Sequence, residues 1–289
     1  MISLMAGSAV CQLLPEQGGA LANWHIGDQA MLRTASSKAI AANEPLGMAS
    51  FPLVPYSNRI AHAAFEWAGQ PYRLSRNFAP ESHAIHGVGW QLPWQAVEVS
   101  ENHALLTLDF GGSDYWPWSF KASQEITLHA HALDIKLKAK NQMEMPVPLA
   151  FGHHPYFDQV GASLKFSASK IWMSSPDALP SHSVDLAGQY DFSTIVPVAK
   201  RDVDHCYIGW DGAAHIRWEG RKYGLEIMAS PELSAAVVYI PLDGDAFCFE
   251  PVPHINNALN MGGTQPAMPV IAPGAEYAAH IAMHAVLAD

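Results

Sequence analysis

Phe120-Lys-Ala-Ser-Gln-Glu-Ile-Thr-Leu-His-Ala-His-Ala-Leu-Asp-Ile-Lys-Leu-Lys-Ala-Lys-Asn141 is the stretch that decides the fold. Leu133, Ile135, Leu137 and Ala139 alternate with Asp134, Lys136, Lys138 and Lys140. Phe120, Ala122, Ile126 and Leu128 keep the same spacing before them. A repeat of two places one side of the chain in the core and the other in water, which is the signature of a β-strand. Two such strands meeting at His129-Ala-His131 predict an antiparallel pair.

Working outward, the same grammar recurs. Residues 1–35 read as short strands punctuated at Gly18-Gly19 and Gly27-Asp28. Ser36 to Gly47 reads as a small, polar loop. Phe65 to Leu74 predicts a hairpin through Ala-Gly-Gln-Pro. Ala214–Trp218 and Tyr223–Ala229 predict another, across Glu219–Lys222. Ser234–Ile240 is rich in β-branched residues, Asn257–Asn260 predicts a helical turn, and Tyr277–Leu287 predicts a closing strand. No long amphipathic helix, no repeat of 20–50 residues, no glycine-rich phosphate loop and no Gly-x-Ser-x-Gly elbow is present. The expectation is an all-β chain, a large antiparallel β-sandwich, with residues 1–289 forming one domain.

Composition narrows the partners. Of 289 residues, 49% are hydrophobic and only 15% charged, and 16 basic residues face 27 acidic ones for a net charge of -11. Such a balance disfavours nucleic acid and anionic membrane surfaces. Cys11, Cys206 and Cys248 show no metal-type spacing and read as reduced thiols of a cytoplasmic protein. No basic residue precedes Arg33, and no apolar run reaches membrane-spanning length.

Candidate chemistry concentrates in two stretches. Ala246-Phe-Cys-Phe-Glu-Pro-Val-Pro-His254 reads as an apolar strand that ends in a carboxylate, Glu250. Burial there would raise its pKa towards that of a useful general base. Phe151-Gly-His-His-Pro-Tyr-Phe157 holds His154 ahead of Pro155, where the backbone is extended. Adjacent strand residues point to opposite faces, so only one of His153 and His154 can enter a given pocket. Arg59 stands in the apolar, proline-flanked segment Phe51–Ile60 and reads equally well as a pocket residue or an ordinary salt-bridged arginine. His86 precedes Gly87 and Gly89, which allow close backbone approach. His129-Ala-His131 has metal-ligand spacing but falls at a turn, where exposure explains it better.

Taken in order, Asn58-Arg-Ile60, Ile85-His-Gly87, Gly152-His-His-Pro-Tyr-Phe157, Asp204-His-Cys206 and Phe249-Glu-Pro-Val-Pro-His254 resemble the aldose 1-epimerase (galactose mutarotase) family, over nearly the whole chain. That resemblance implies a supersandwich fold and interconversion of the α and β anomers of a free aldose. It implies Glu250 as catalytic base and His154, not His153, as general acid. It implies Arg59, His86 and Asp204 (with Asp202 as rival) as sugar-binding residues, in a motif that includes Asn58. Tyr156 and Trp172 are candidates for stacking on a sugar face, against core packing as the simpler role. No cofactor and no metal is required by that chemistry, and the partner is a small sugar, with the protein a monomer or homodimer. Asp158, the reduced Gly-rich segment after His86 and the Pro-Val-Pro-His ending depart from well-known members and mark a divergent branch, leaving the sugar unassigned.

Three other readings stand beside this one. The first is a mutarotase for a phosphorylated or other anionic sugar, for which Arg73 and Arg76 would be the local cations. The second is a non-catalytic carbohydrate-binding β-sandwich. The third is a metal-dependent enzyme using some of the 15 histidines.

Overall fold

The computed structural model describes residues 1–288. Two large antiparallel sheets dominate it. The first has eleven strands, the second nine. Along the second sheet, Phe120–His129 and Ala132–Asn141 pair through ten residues each, from Phe120 opposite Asn141 to His129 opposite Ala132. Their burial alternates as the sequence predicts, with Ile126, Leu128, Leu133, Ile135 and Leu137 fully enclosed. The closing strand Glu276–Leu287 lies inside the sheet, between Ala132–Asn141 and Tyr223–Ala229. The predicted hairpins form at Ala64–Trp67 with Gln70–Arg73 and at Ala213–Trp218 with Tyr223–Ala229.

The centre of the first sheet runs Ser50–Leu53, Gly152–Asp158, Ala246–Val252, Ala235–Ile240, Val203–Ile208. These strands are buried on both faces, so their sequences read as apolar runs rather than as clean alternation. One face packs into the space between the sheets. There Phe249 meets Phe166 of the second sheet edge-on, at 5.1 Å between centroids, and Trp210 at 5.2 Å. The opposite face carries the even-numbered residues of Ala246–Val252, Cys248 and Glu250.

Two readings change. Ser36 to Gly47 is not all loop: Ser37–Ala42 is a short α-helix. The Ser36 hydroxyl accepts the Ala39 N–H at 3.0 Å, and Asn43 closes the helix at φ +51. Both are ordinary helix-end signals around an alanine-rich turn. Glu250 does not end its strand either, because the strand continues through Pro251 to Val252. The ladder to Gly152–Asp158 stops at Tyr156 opposite Cys248. Beyond it Pro155 and Pro251 lack the N–H groups to continue, while on its other edge the strand pairs Gly152–Pro155 with Ser50–Leu53. No helix of the described residues is long and apolar enough to cross a membrane.

Removing the Phe249 ring should leave a cavity where the two sheets meet. Phe249→Ala is expected to cost about 3–5 kcal/mol. Urea unfolding checks this, and a loss below about 1 kcal/mol would contradict the packing described.

Candidate active site

Antiparallel register places the two central groups. Counting on from Tyr156–Cys248, His154 falls opposite Glu250, two residues past the last paired rung. Both side chains point to the face away from the second sheet. His154 Nε2 lies 3.3 Å from Glu250 Oε1, and both side chains are buried. His153, one residue earlier, points the other way and bonds the Ser50 hydroxyl at 2.5 Å through Nδ1. The opposite-face expectation for this histidine pair therefore holds, and burial drops His153 to about 3.

The pair lies against a cavity of about 280 Å³, walled by Asn58, Arg59, Glu81, His86, Asp204, Val237 and Tyr239 as well as His154, Tyr156 and Glu250. Leu46, Phe78, Ile85 and Trp90 complete it. All seven residues predicted for the site thus gather round one space. A wider depression of about 830 Å³ lies near Gly161 and Arg221, but the titratable groups on its walls are not buried.

Each wall residue has a local cause. Arg59–Ile60 pairs with Ala84–Ile85, which brings Arg59 beside His86. Asn58 and His86 both adopt the left-handed region, at φ +55 and +59. The His86 N–H donates to the Asn58 carbonyl at 2.9 Å, so each bend holds the other. Such backbone in non-glycine residues is costly and clusters at functional sites. Gly87 follows at φ +70, where an added Cβ would lie 2.3 Å from the Val54 carbonyl oxygen. Only glycine fits there. Asp204 projects from Val203–Ile208 opposite Tyr239, itself opposite Cys248. Its rival Asp202 precedes the strand, is exposed and does not wall the cavity.

Electrostatics follow from burial. Desolvation pushes the Glu250 carboxyl well above the usual range, nearby Asp204 adds to this, and Arg59 opposes it. Desolvation drives His154 well below an ordinary imidazole, with His86 acting in the same direction. His86 falls to about 3 through burial and then Arg59. Asp204 is raised by desolvation, against the pull of Arg59. Glu250 Oε2 and His86 Nδ1 are buried without a protein partner, which carries a real cost.

His154 is held between two rings, Phe51 at 4.5 Å and Tyr156 at 4.7 Å, and meets His86 edge-on at 5.2 Å. Tyr156 carries the Arg33 guanidinium 3.7 Å from its centroid. Trp172 does not wall the cavity. His254 is structural: its Nε2 accepts the Ser57 N–H at 3.3 Å and its Nδ1 donates to the Ile255 carbonyl at 2.8 Å. Asp158 accepts from Arg221 at 2.6 Å and is likewise outside the cavity. Sequence reading missed Glu81, Trp90 and Tyr239. Glu81 sat in an unpatterned polar loop, and the other two look like ordinary core and strand residues.

For metals, His129 and His131 do not act together. His129 contacts Asp134 at 2.9 Å, while His131 rests on the Tyr223 ring. The donor atoms of His154, Cys248 and Glu250 lie within 4.8 Å of one another. Their types would suit a thiophilic divalent cation. Holding one would require the Cys248 thiol to ionise, which burial and the neighbouring Glu250 carboxylate both resist.

All three cysteines are buried, and burial raises each thiol, Cys206 to about 12. A chromogenic disulfide reagent at pH 8 should therefore titrate none of the three in the native protein and all three in denaturant. Rapid native reaction of Cys248 would contradict the closed floor of the cavity.

The comparisons with known proteins bear on family and fold. Residues 1–284 match the family model described as aldose 1-epimerase. The uncharacterized protein YphB of Escherichia coli K12 is 27% identical over 83% of each chain. A crystal structure of a putative aldose 1-epimerase from Escherichia coli K12 superposes with TM-score 0.91 at 24% identity, covering 99% of this chain and 98% of that one. The galactose 1-epimerase of Lactobacillus acidophilus NCFM superposes with TM-score 0.80 at 16% identity, over 99% and 94%. With a family match that runs from the first strand into the last, on the supersandwich expected from its motifs, this chain belongs to the aldose 1-epimerase family.

Proposed function

We propose that the protein is a cofactor-independent aldose mutarotase, interconverting the α and β anomers of a free sugar. The observation that carries this reading is the buried His154–Glu250 pair, 3.3 Å apart, at the wall of a cavity rich in hydrogen-bonding groups.

The chemistry needs one proton taken from the C1 hydroxyl and one given to the ring oxygen. The ring C1–O5 bond then breaks as the C1 carbonyl forms. Rotation about C1–C2 presents the other carbonyl face, and the same two groups close the ring with their roles exchanged. Glu250 is assigned to the C1 hydroxyl and His154 to the ring oxygen. Arg59 and His86 are donors to the oxygens that gain charge as the ring opens. Asp204 and Asn58 hold hydroxyls, and Tyr156, whose ring carries the Arg33 guanidinium and stacks on His154, holds that imidazole in place.

The pair holds one proton between its two members. Desolvation alone favours neutral His154 beside protonated Glu250. Moving that proton across the 3.3 Å contact gives the ionised pair that ring opening uses. Arg59 draws Glu250 towards the charged form, as the catalytic state requires.

Positioned acids and bases contribute about 10²–10⁴-fold each. Glu250→Gln and His154→Asn are each expected to slow anomer equilibration by that factor, with the circular dichroism spectrum unchanged. Polarimetry of freshly dissolved α-D-glucose and α-D-galactose reads it out. Full activity in either variant would remove that residue from its role, and sugar binding with no turnover by the wild type would favour a binding module.

The pH profile has a defined shape. The working form holds one proton on the pair. Acid adds a second, and it must go onto His154, whose pKa lies well below 6.5. Alkali removes the first, opposed by the raised pKa of Glu250. The dependence of kcat/KM should be a bell whose acid arm falls below pH 6.5. An acid arm at or above that value would contradict the desolvated pair.

A further inference from the structure

Glu81 is unused by the mechanism, yet it walls the cavity and pairs with Arg59. Its Oε2 accepts from Arg59 Nε at 3.0 Å, and both side chains are less than one-fifth exposed. The loop that carries it is pinned on both sides. Asn77 donates to the carbonyls of Ile85 at 2.6 Å and Gly87 at 2.8 Å, and accepts the Ile85 N–H at 2.9 Å. His83 Nδ1 accepts the His62 N–H at 3.0 Å, which leaves Nε2 to donate to the Asp177 carbonyl at 3.2 Å. Such a loop fixes where Glu81 sits rather than letting it sweep through solvent.

The consequence is one of charge. Among the described residues walling the cavity, Arg59 is the sole lysine or arginine, while Glu81 and Asp204 are carboxylates besides Glu250. Apart from the His154–Glu250 pair, two carboxyl groups thus face one guanidinium on the cavity wall. Arg33 lies behind the wall, with its guanidinium directed to the carbonyls of Leu46 and Met48 and to the Tyr156 ring. Arg73 and Arg76, the cations that an anionic sugar would need, are exposed and do not wall the cavity.

We propose that Glu81 is a specificity-determining residue: by taking up the charge of Arg59 at the cavity wall, it makes the site select uncharged aldoses and reject aldoses bearing a phosphate or carboxylate. This rests on reading the cavity as an aldose site. Glu81 leaves the other Arg59 nitrogens to donate to neutral hydroxyls, while its own charge repels an anion held across the cavity. One uncompensated charge acting over about 10 Å at an effective dielectric of about 20 changes affinity by about 10-fold.

The test compares the wild type, Glu81→Gln and Glu81→Asp, by calorimetric binding and by anomer exchange, with D-glucose, D-glucose 6-phosphate and D-glucuronate. Wild type should favour glucose over both anions by at least about 10-fold, and Glu81→Gln should shrink that ratio by about 10-fold. Glu81→Asp, which keeps the charge, should retain most of it. An unchanged ratio in Glu81→Gln, or a wild type that prefers an anion, overturns the inference. If the wild type binds glucose without exchanging its anomers, the mutarotase reading fails while the binding ratios still decide the role of Glu81. Binding of none of the three sugars by the wild type overturns both. A thermal unfolding midpoint for Glu81→Gln within a few degrees of the wild type confirms that selection, and not folding, has been measured.

Discussion

A carboxylate buried on the middle strand of a sheet is the constraint around which this molecule is arranged. Glu250 shares its strand with Phe247 and Phe249, which lock into the core between the two sheets. The side of the strand that carries Glu250 cannot move without disturbing that core. Desolvation would make an isolated carboxylate there expensive. The structure answers with an imidazole directly opposite, a guanidinium nearby and a cavity that Glu250 helps to wall. The same burial that costs stability moves Glu250 and His154 towards each other's range, which is what a proton-exchanging pair needs.

On the proposed reading, precision comes from the sheet and selectivity from the loops. His154, Tyr156, Cys248, Glu250, Val237, Tyr239 and Asp204 sit on four neighbouring strands in fixed register. Asn58, Arg59, Glu81 and His86 come from the segments laid over them, tied to one another by backbone bonds, an ion pair and two left-handed bends. If the cavity is an aldose site, changes in those segments would alter what is bound while leaving the His154–Glu250 pair in place, the usual division between scaffold and loop.

Much of this was legible in the sequence where the information is local. The alternation across Phe120–Asn141 gives strands, faces and register without help, because one face of that pair is wet. The hairpin at Ala68-Gly69 and the opposed faces of His153 and His154 are equally local. The doubly buried strands are harder: Phe247–Val252 is apolar on both sides, and nothing in it shows that Glu250 lies mid-strand. That His154 faces Glu250 is a property of pairing between residues nearly a hundred apart, and it was expected through resemblance rather than read from the residues. Asp202 and Asp204 could be separated only by knowing where the strand begins. Glu81 was invisible because a pinned loop has no period, and its anchor Asn77 looks like any polar loop residue.

The central claim is that the buried pair opens and recloses an aldose ring without touching other carbons. Exchange NMR in D₂O tests it most directly, on an equilibrated α/β mixture of an uncharged aldose with catalytic amounts of protein. The account predicts anomeric exchange cross-peaks that grow in proportion to protein concentration, with the C2 proton retained, because the base reaches the C1 hydroxyl and not the C2 hydrogen. Exchange no faster than in buffer across neutral aldoses, or deuterium appearing at C2, would contradict it.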